Sequence, residues 1–189
     1  METVLKYTIF KTKWGYFGLA GTEYGLCRTC LPGPSPERTK SHLLKILLFE
    51  HRVSRIEHRE SSIEFEKTFF KEIQQQIIAY FEGAYVNFSP DIPSKLDGFS
   101  PFYKSVLTAC KFVKFGQTIN YGELAKQLGR PLASRAVGNA LAKNPLPLII
   151  PCHRVIRSDG SLGGFSTIGG LSLKRKLLLH EQNCLSAAL

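Results

Sequence analysis

From Asn144 to Ile156 the chain runs Asn-Pro-Leu-Pro-Leu-Ile-Ile-Pro-Cys-His-Arg-Val-Ile, with prolines at 145, 147 and 151. Proline lacks an amide hydrogen and its ring blocks the preceding helical turn, so this stretch is excluded from any helix. Leu146, Leu148, Ile149 and Ile150 are all apolar. A short apolar run of this kind is expected as a buried, extended segment that delivers Cys152 from a packed base. His153 and Arg154 follow the cysteine directly, and a neighbouring cation or imidazole favours the thiolate. A bare Cys-His pair is equally compatible with a buried cysteine beside a surface histidine.

The rest of the chain limits what this cysteine can serve. The 189 residues suffice for one domain or two small ones, and the hydrophobic share of 43% and charged share of 21% are those of an ordinary globular protein. No stretch reaches the roughly 18 to 20 apolar residues that span a bilayer. Met1-Glu2-Thr3-Val4 lacks the start of a secretion signal. The expected location is the cytoplasm, or the nucleus in a eukaryote, with no membrane partner. Cys27, Cys30, Cys110, Cys152 and Cys184 are odd in number, which argues against a disulfide framework. Cys27-Arg28-Thr29-Cys30 has the spacing of half a zinc site, with His42, His51 and His58 as possible partners, or else carries free thiols or a local disulfide. No second paired motif follows, so neither structural zinc nor another cofactor is expected. Cys110 lies in an apolar helical stretch and reads as core.

Charge is concentrated toward the C-terminus. Residues 101–189 hold twelve Lys and Arg against Glu123, Asp159 and Glu181, which is +9 of the chain's +10. Such a surface either neutralises the phosphates of a polyanion or is simply well solvated.

The element pattern is α+β. Residues 1–86 read as a small α/β N-terminal domain: strands over 4–10 and 16–20 in a hairpin, a turn at Gly21–Gly25, a helix over 36–51, a strand over 56–65 and a stronger helix over 66–81 capped at Gly83. Residues 87–100, with Pro90, Pro93 and Asp97-Gly98, form a stiffened linker. Residues 101–189 read as mainly helical. One helix begins at Pro101, a second follows Thr118 or Asn120 and runs through Leu128, Gly129-Arg130-Pro131 breaks it, and a third covers Ala133–Lys143. Helix, short turn, helix is the helix-turn-helix outline. Its last helix is slim, with Ala133, Ser134, Ala136, Gly138, Ala140 and Ala142 and a single arginine, Arg135. Small side chains suit either tight helix packing or entry into a narrow groove.

Five motifs in order, Tyr121-Gly122-Glu123-Leu124-Ala125, Arg135-Ala136-Val137-Gly138, Asn144-Pro145, Pro151-Cys152-His153-Arg154-Val155-Ile156 and His180-Glu181, resemble those of the methylated-DNA–protein-cysteine methyltransferases. These are the suicide O6-alkylguanine-DNA alkyltransferases, and the likeness covers about half the chain. The resemblance implies an N-terminal scaffold domain and a C-terminal domain of winged-helix type that binds duplex DNA as a monomer. The slim helix would enter the minor groove through Ala133, Ser134, Ala136 and Gly138, with Thr118 nearby. Arg135 would fill the gap left by an everted nucleotide.

The same resemblance distributes the chemistry. Cys152 would be the nucleophile and methyl acceptor, His153 its base through a water, Glu181 the carboxylate orienting His153, and Asn144 an organiser of the site. Tyr121 would donate to the leaving guanine, although a tyrosine packed on the core reads as well from the residue alone. In extended backbone Cys152 and His153 would point to opposite faces, which makes a bridging water reasonable. The carbonyls of Cys152 and Val155 and the amide of Ser166 would read the base, with Pro147 and Phe165 as pocket walls. Thr167-Ile168 lengthen the loop after Ser166, and Tyr103 stands where the family often has glutamine. The expected function is stoichiometric repair of O6-methylguanine, and more weakly of O4-methylthymine. The alternatives are a non-repairing, alkyltransferase-like lesion-binding protein and an unrelated cysteine hydrolase.

Overall fold

The computed structural model describes residues 4–53 and 63–187. The chain divides into two compact units, one taking the residues up to Glu82 together with Asp91–Gly98, the other taking Gly83–Pro90 together with everything from Phe99. Of the segment read as a linker, 87–90 and 99–100 therefore belong to the second unit and 91–98 to the first, and 83–86, read as the end of the N-terminal domain, also belong to the second.

In the first unit β1 (Leu5–Thr12), β2 (Gly15–Thr22) and β3 (Gly25–Gly33) form an antiparallel meander, and β4 (Ile63–Phe65) joins β1 in parallel, giving the order β3-β2-β1-β4. The first hairpin is tight because Thr12 Oγ1 donates to the Gly15 carbonyl at 2.8 Å and accepts from the Trp14 amide at 3.2 Å, with Gly15 at φ +126°. Helix α1 (Pro36–Val53) lays Leu43 and Leu47 on a core of Leu5, Tyr7, Ala20 and Cys30. Helix α2 (Lys71–Glu82) buries Ile73, Ile77, Tyr80 and Phe81, and Phe81 packs on Trp14. Residues 91–98 run beside β3, where Leu26 donates to Pro93 at 2.8 Å and accepts from Lys95 at 2.7 Å.

Two local expectations change, and a third is described only in part. Strand β3 occupies the segment that the sequence offers only as a thiol motif. The expected helix from Glu66 starts at Lys71: Phe70 sits at φ +53°, and Gln74 Nε2 donates to the carbonyls of Lys67 and Phe69, holding a turn in place of the first helical residues. Ile63–Phe65 is strand, while the rest of the segment expected to be strand, from Ile56, and His58 fall outside the described residues.

The second unit begins its helices with α3 (Pro101–Cys110), where Ser100 accepts from the Tyr103 amide and Pro101 fills the first position. A two-residue strand, β5 (Ile119–Asn120), leads into α4 (Tyr121–Gln127), and Asn120 and Glu123 form a reciprocal capping box. Residues 128–133 turn the chain into α5 (Ser134–Ala142), with the Arg130 guanidinium on the Phe102 ring at 5.4 Å. Strand β6 (Val155–Ile156) pairs in parallel with β5, and α6 (Gly170–Ser186) closes the unit. Val106, Leu107, Cys110, Leu124, Val137, Ala140 and Leu177 are fully buried. Among the described residues no helix is long and apolar enough to cross a membrane.

Candidate active site

The pairing of β5 with β6 fixes the site, because it sets the start of α4 beside the residues that follow Cys152. The run before the cysteine is buried but not extended. Ile150 donates to the Leu146 carbonyl at 2.8 Å and Leu148 sits at φ +80°, so Leu146–Ile150 is a tight turn. Cys152–Arg154 then form a short 3-10 turn in which Arg154 donates to Pro151. The prolines remove the donors that a strand ladder requires, and the few remaining amides bond locally. Strand alternation therefore does not govern the directions of the Cys152 and His153 side chains.

Asn144 holds Cys152. Its Nδ2 donates to the Ile150 carbonyl at 2.8 Å and to Cys152 Sγ at 3.0 Å, while its Oδ1 accepts from the Leu146 amide at 3.0 Å. Cys152 is 7% exposed. Burial pushes the thiol above its usual value, and the Asn144 bond and the Lys174 charge only partly offset this. The expected preference for thiolate is thus overturned. Both adjacent basic residues are bound to Glu181 and not to the sulfur.

Glu181 sits at the centre of this network. Its Oε1 lies 2.8 Å from His153 Nε2, Arg154 donates to it through Nε (3.1 and 3.2 Å) and Nη2 (3.0 Å), and the Gly116 amide donates to Oε2 at 2.9 Å. Burial alone would raise this carboxyl, but the bonds and charges of His153 and Arg154 outweigh it and hold it at about 2. Gly116 is at φ +72°, a conformation that aims its amide at the carboxylate and that other residues rarely adopt. Arg154 also donates through Nη1 to the Val113 carbonyl at 2.6 Å and lies over the Phe115 ring. Burial lowers the His153 pKa against the opposing pull of Glu181. An ionised carboxylate only accepts, so the neutral ring carries its proton on Nε2, and buried Nδ1 is an acceptor with no hydrogen-bond partner among the described residues.

Tyr121 opens α4 half-buried, and burial raises its phenol pKa, so it remains a donor at neutral pH. Two glycines lie against its ring, one of them closely. A Cβ on Gly163 would lie 2.7 Å from Tyr121 Cζ, and one on Gly138 would lie 3.7 Å from Cε1. A side chain at Gly138 would meet the Tyr121 ring at ordinary van der Waals distance, so only Gly163 is required by the ring's position. Lys174 was not foreseen. It is fully buried, its Nζ donates to the Val155 carbonyl at 2.6 Å and sits 5.9 Å from the Tyr121 ring centroid. One lone pair of Val155 is therefore taken, leaving the other for a ligand. The readable signal was α6 periodicity, since Lys174, Leu177 and Glu181 form one buried stripe.

Pro147 is buried, Phe165 half-buried and Ser166 exposed, while Thr167 and Ile168 lie in the turn before α6. On α5 and its approach, Arg135 is exposed and Ala133, Ser134 and Ala136 are half-buried. Thr118 lines a groove with Ile156, Gly160, Leu171 and Arg175. Cys27 and Cys30 are free thiols raised by burial to about 11, and no group of three or more His, Cys, Asp or Glu among the described residues could hold a metal ion.

Residues 101–183 match the sequence family described as 6-O-methylguanine DNA methyltransferase, DNA binding domain. A methylated-DNA–protein-cysteine methyltransferase of Methanosarcina acetivorans is 39% identical over 178 residues, spanning 94% of this chain and 99% of that protein. The mouse protein of the same name is 55% identical over 71 residues, 38% of this chain and 33% of that one. Among solved structures, Mycobacterium tuberculosis OGT in complex with DNA superposes with a TM-score of 0.72 at 30% identity, covering 95% of this chain and 94% of that one.

Proposed function

Because the chain belongs to the methylated-DNA–protein-cysteine methyltransferase family, a class of DNA-binding repair enzymes, we propose that it clears O6-methylguanine, and more weakly O4-methylthymine, from duplex DNA by one irreversible transfer to Cys152. The reading is carried by one observation: a buried cysteine whose sulfur is held by Asn144 adjoins a buried Glu181–His153 pair.

The reaction follows from those groups. A methyl group on O6 is inaccessible within the stack, so the nucleotide rotates out of the duplex. Helix α5 lies in the minor groove and Arg135 occupies the vacated position. The base enters between Pro147 and Phe165, its exocyclic amine bonded to the carbonyls of Cys152 and Val155 and its O6 facing the Ser166 amide. His153 Nδ1 takes the Cys152 proton through a water, and Glu181 steadies the imidazolium that forms. Sγ displaces O6 at the methyl carbon: an S–C bond forms, the C–O bond breaks, and Tyr121 supplies a hydrogen bond or proton to the leaving guanine. Unmodified guanine and S-methylcysteine result. Water does not displace a thiolate from a thioether, so each molecule acts once. The chain requires no cofactor, acts as a monomer in the cytoplasm or nucleus, and uses the unit of residues 1–82 and 91–98 as scaffold and the unit of 83–90 and 99–189 for DNA and transfer.

Titration of protein into excess O6-methylguanine duplex tests this. Repaired lesions should plateau at one per protein molecule, whereas continued repair after the plateau would contradict the single transfer.

A further inference from the structure

Asn87 stands in the segment read as linker and precedes the matched DNA-binding domain at 101–183, yet it belongs to the unit that holds Cys152. Its Oδ1 accepts the Phe115 amide at 2.8 Å, and its Nδ2 donates to Tyr85 Oη at 2.9 Å, with the Tyr85 and Phe115 rings 5.1 Å apart. Lys111 Nζ ties the same segment down through the Pro90 carbonyl at 3.0 Å.

What Asn87 holds matters for the chemistry. Residues 113–116 are the wall against which the relay is built: Val113 accepts from Arg154, the buried Phe115 ring lies under the Arg154 guanidinium, and Gly116 donates to Glu181. Arg154 and Glu181 together set where His153 stands. A displacement of the 115 backbone moves the Gly116 amide directly, because the two residues share a peptide.

We propose that Asn87 is a positioning residue for the His153–Glu181 pair, acting through the 113–116 backbone, and that the alkyl-transfer unit of this chain accordingly begins at Gly83. The inference rests on the transfer chemistry proposed above. Without the Asn87 acceptor, Gly116 slackens its bond to Oε2, the Glu181 charge is less stabilised, and the carboxylate holds the His153 proton more strongly. The charged groups that set this balance are Glu181, Arg154 and Lys174. The base form of His153 is then lost at higher pH.

The experiment is single-turnover methyl transfer from an O6-methylguanine duplex, measured across pH for wild type, Asn87→Ala and Asn87→Asp, alongside affinity for lesion-free duplex. Asn87 is exposed, so its substitution leaves the core intact. Asn87→Ala should slow transfer about two- to tenfold, the range of one net hydrogen bond, move the acid limb of the profile to higher pH and leave duplex affinity unchanged. Asn87→Asp keeps the acceptor and should restore rate and profile. If Asn87→Ala does not fold, Asn87→Ser, too short to reach the Phe115 amide, takes its place. A wild-type rate and profile in the Ala or Ser variant, slowing with an unmoved acid limb, or failure of Asp to restore would each overturn the role. No transfer by wild type would overturn the underlying reading instead.

Discussion

Replacing Glu181 with Gln removes the charge to which His153 and Arg154 are both tied while keeping the side chain's size. The variant leaves Arg154, 3% exposed, without a counter-charge. Breaking a buried pair from one side costs about 3–5 kcal/mol. In a chain of this size each kcal/mol moves the melting temperature by about 2–4 °C, so the drop should be about 6–20 °C. A version without mutation uses pH. Glu181 titrates at about 2 when folded against 4.5 in the reference state. Its folded pKa is depressed, so its contribution is present above 4.5 and is lost as pH falls from there toward 2, amounting to about 3 kcal/mol. The buried His153, also depressed, adds a loss that starts as pH falls below 6.5. Thermal unfolding of wild type and Glu181→Gln between pH 7 and pH 2 reads both effects. A loss under about 1 kcal/mol at pH 7, or equal acid sensitivity in the two proteins, would refute the claim that this carboxylate is a buried, ionised hub.

Further outcomes follow from the same geometry. The transfer rate should hold as pH falls to 6.5 and decline only below it, because burial keeps His153 neutral; a midpoint above 6.5 in the pH–rate profile would contradict this. Gly163→Ala places a methyl group against the Tyr121 ring, so transfer should slow at least about tenfold with duplex affinity retained; equal rates in a single-turnover assay would count against a working Tyr121. Arg135→Ala should slow transfer from a duplex far more than transfer from free O6-methylguanine base, since only the duplex needs eversion; equal slowing on both substrates would remove Arg135 from that step.

Much of this architecture was legible because local chemistry writes it directly. Ser100-Pro101 marks the start of α3, Asn120 with Glu123 marks α4, and Gly83 closes α2. Cys152 was singled out by its motif, and the family resemblance named Asn144 and Glu181 as its neighbours, but the direction taken by Arg154 was not legible. His153 and Arg154 follow Cys152 in sequence, and proximity along the chain suggested that they charge the sulfur; in space both turn to Glu181, twenty-eight and twenty-seven residues on. Lys174 was missed because a lysine in a basic helix ordinarily snorkels to water, and only its register with Leu177 and Glu181 gives it away. Strand β3 was missed because Cys-Arg-Thr-Cys invites a metal reading, whereas pairing with β2 decides its conformation. Asn87 could not be read at all, since its partner Phe115 lies twenty-eight residues away across an intervening Pro-rich stretch.

The most direct test of the central claim is intact-protein mass spectrometry with peptide mapping after incubation with an O6-methylguanine duplex, with Cys152→Ser as control. One methyl group on Cys152 per molecule, and none on the control, is the predicted result. An unmodified Cys152 in protein that nevertheless binds the lesion tightly and selectively would contradict it.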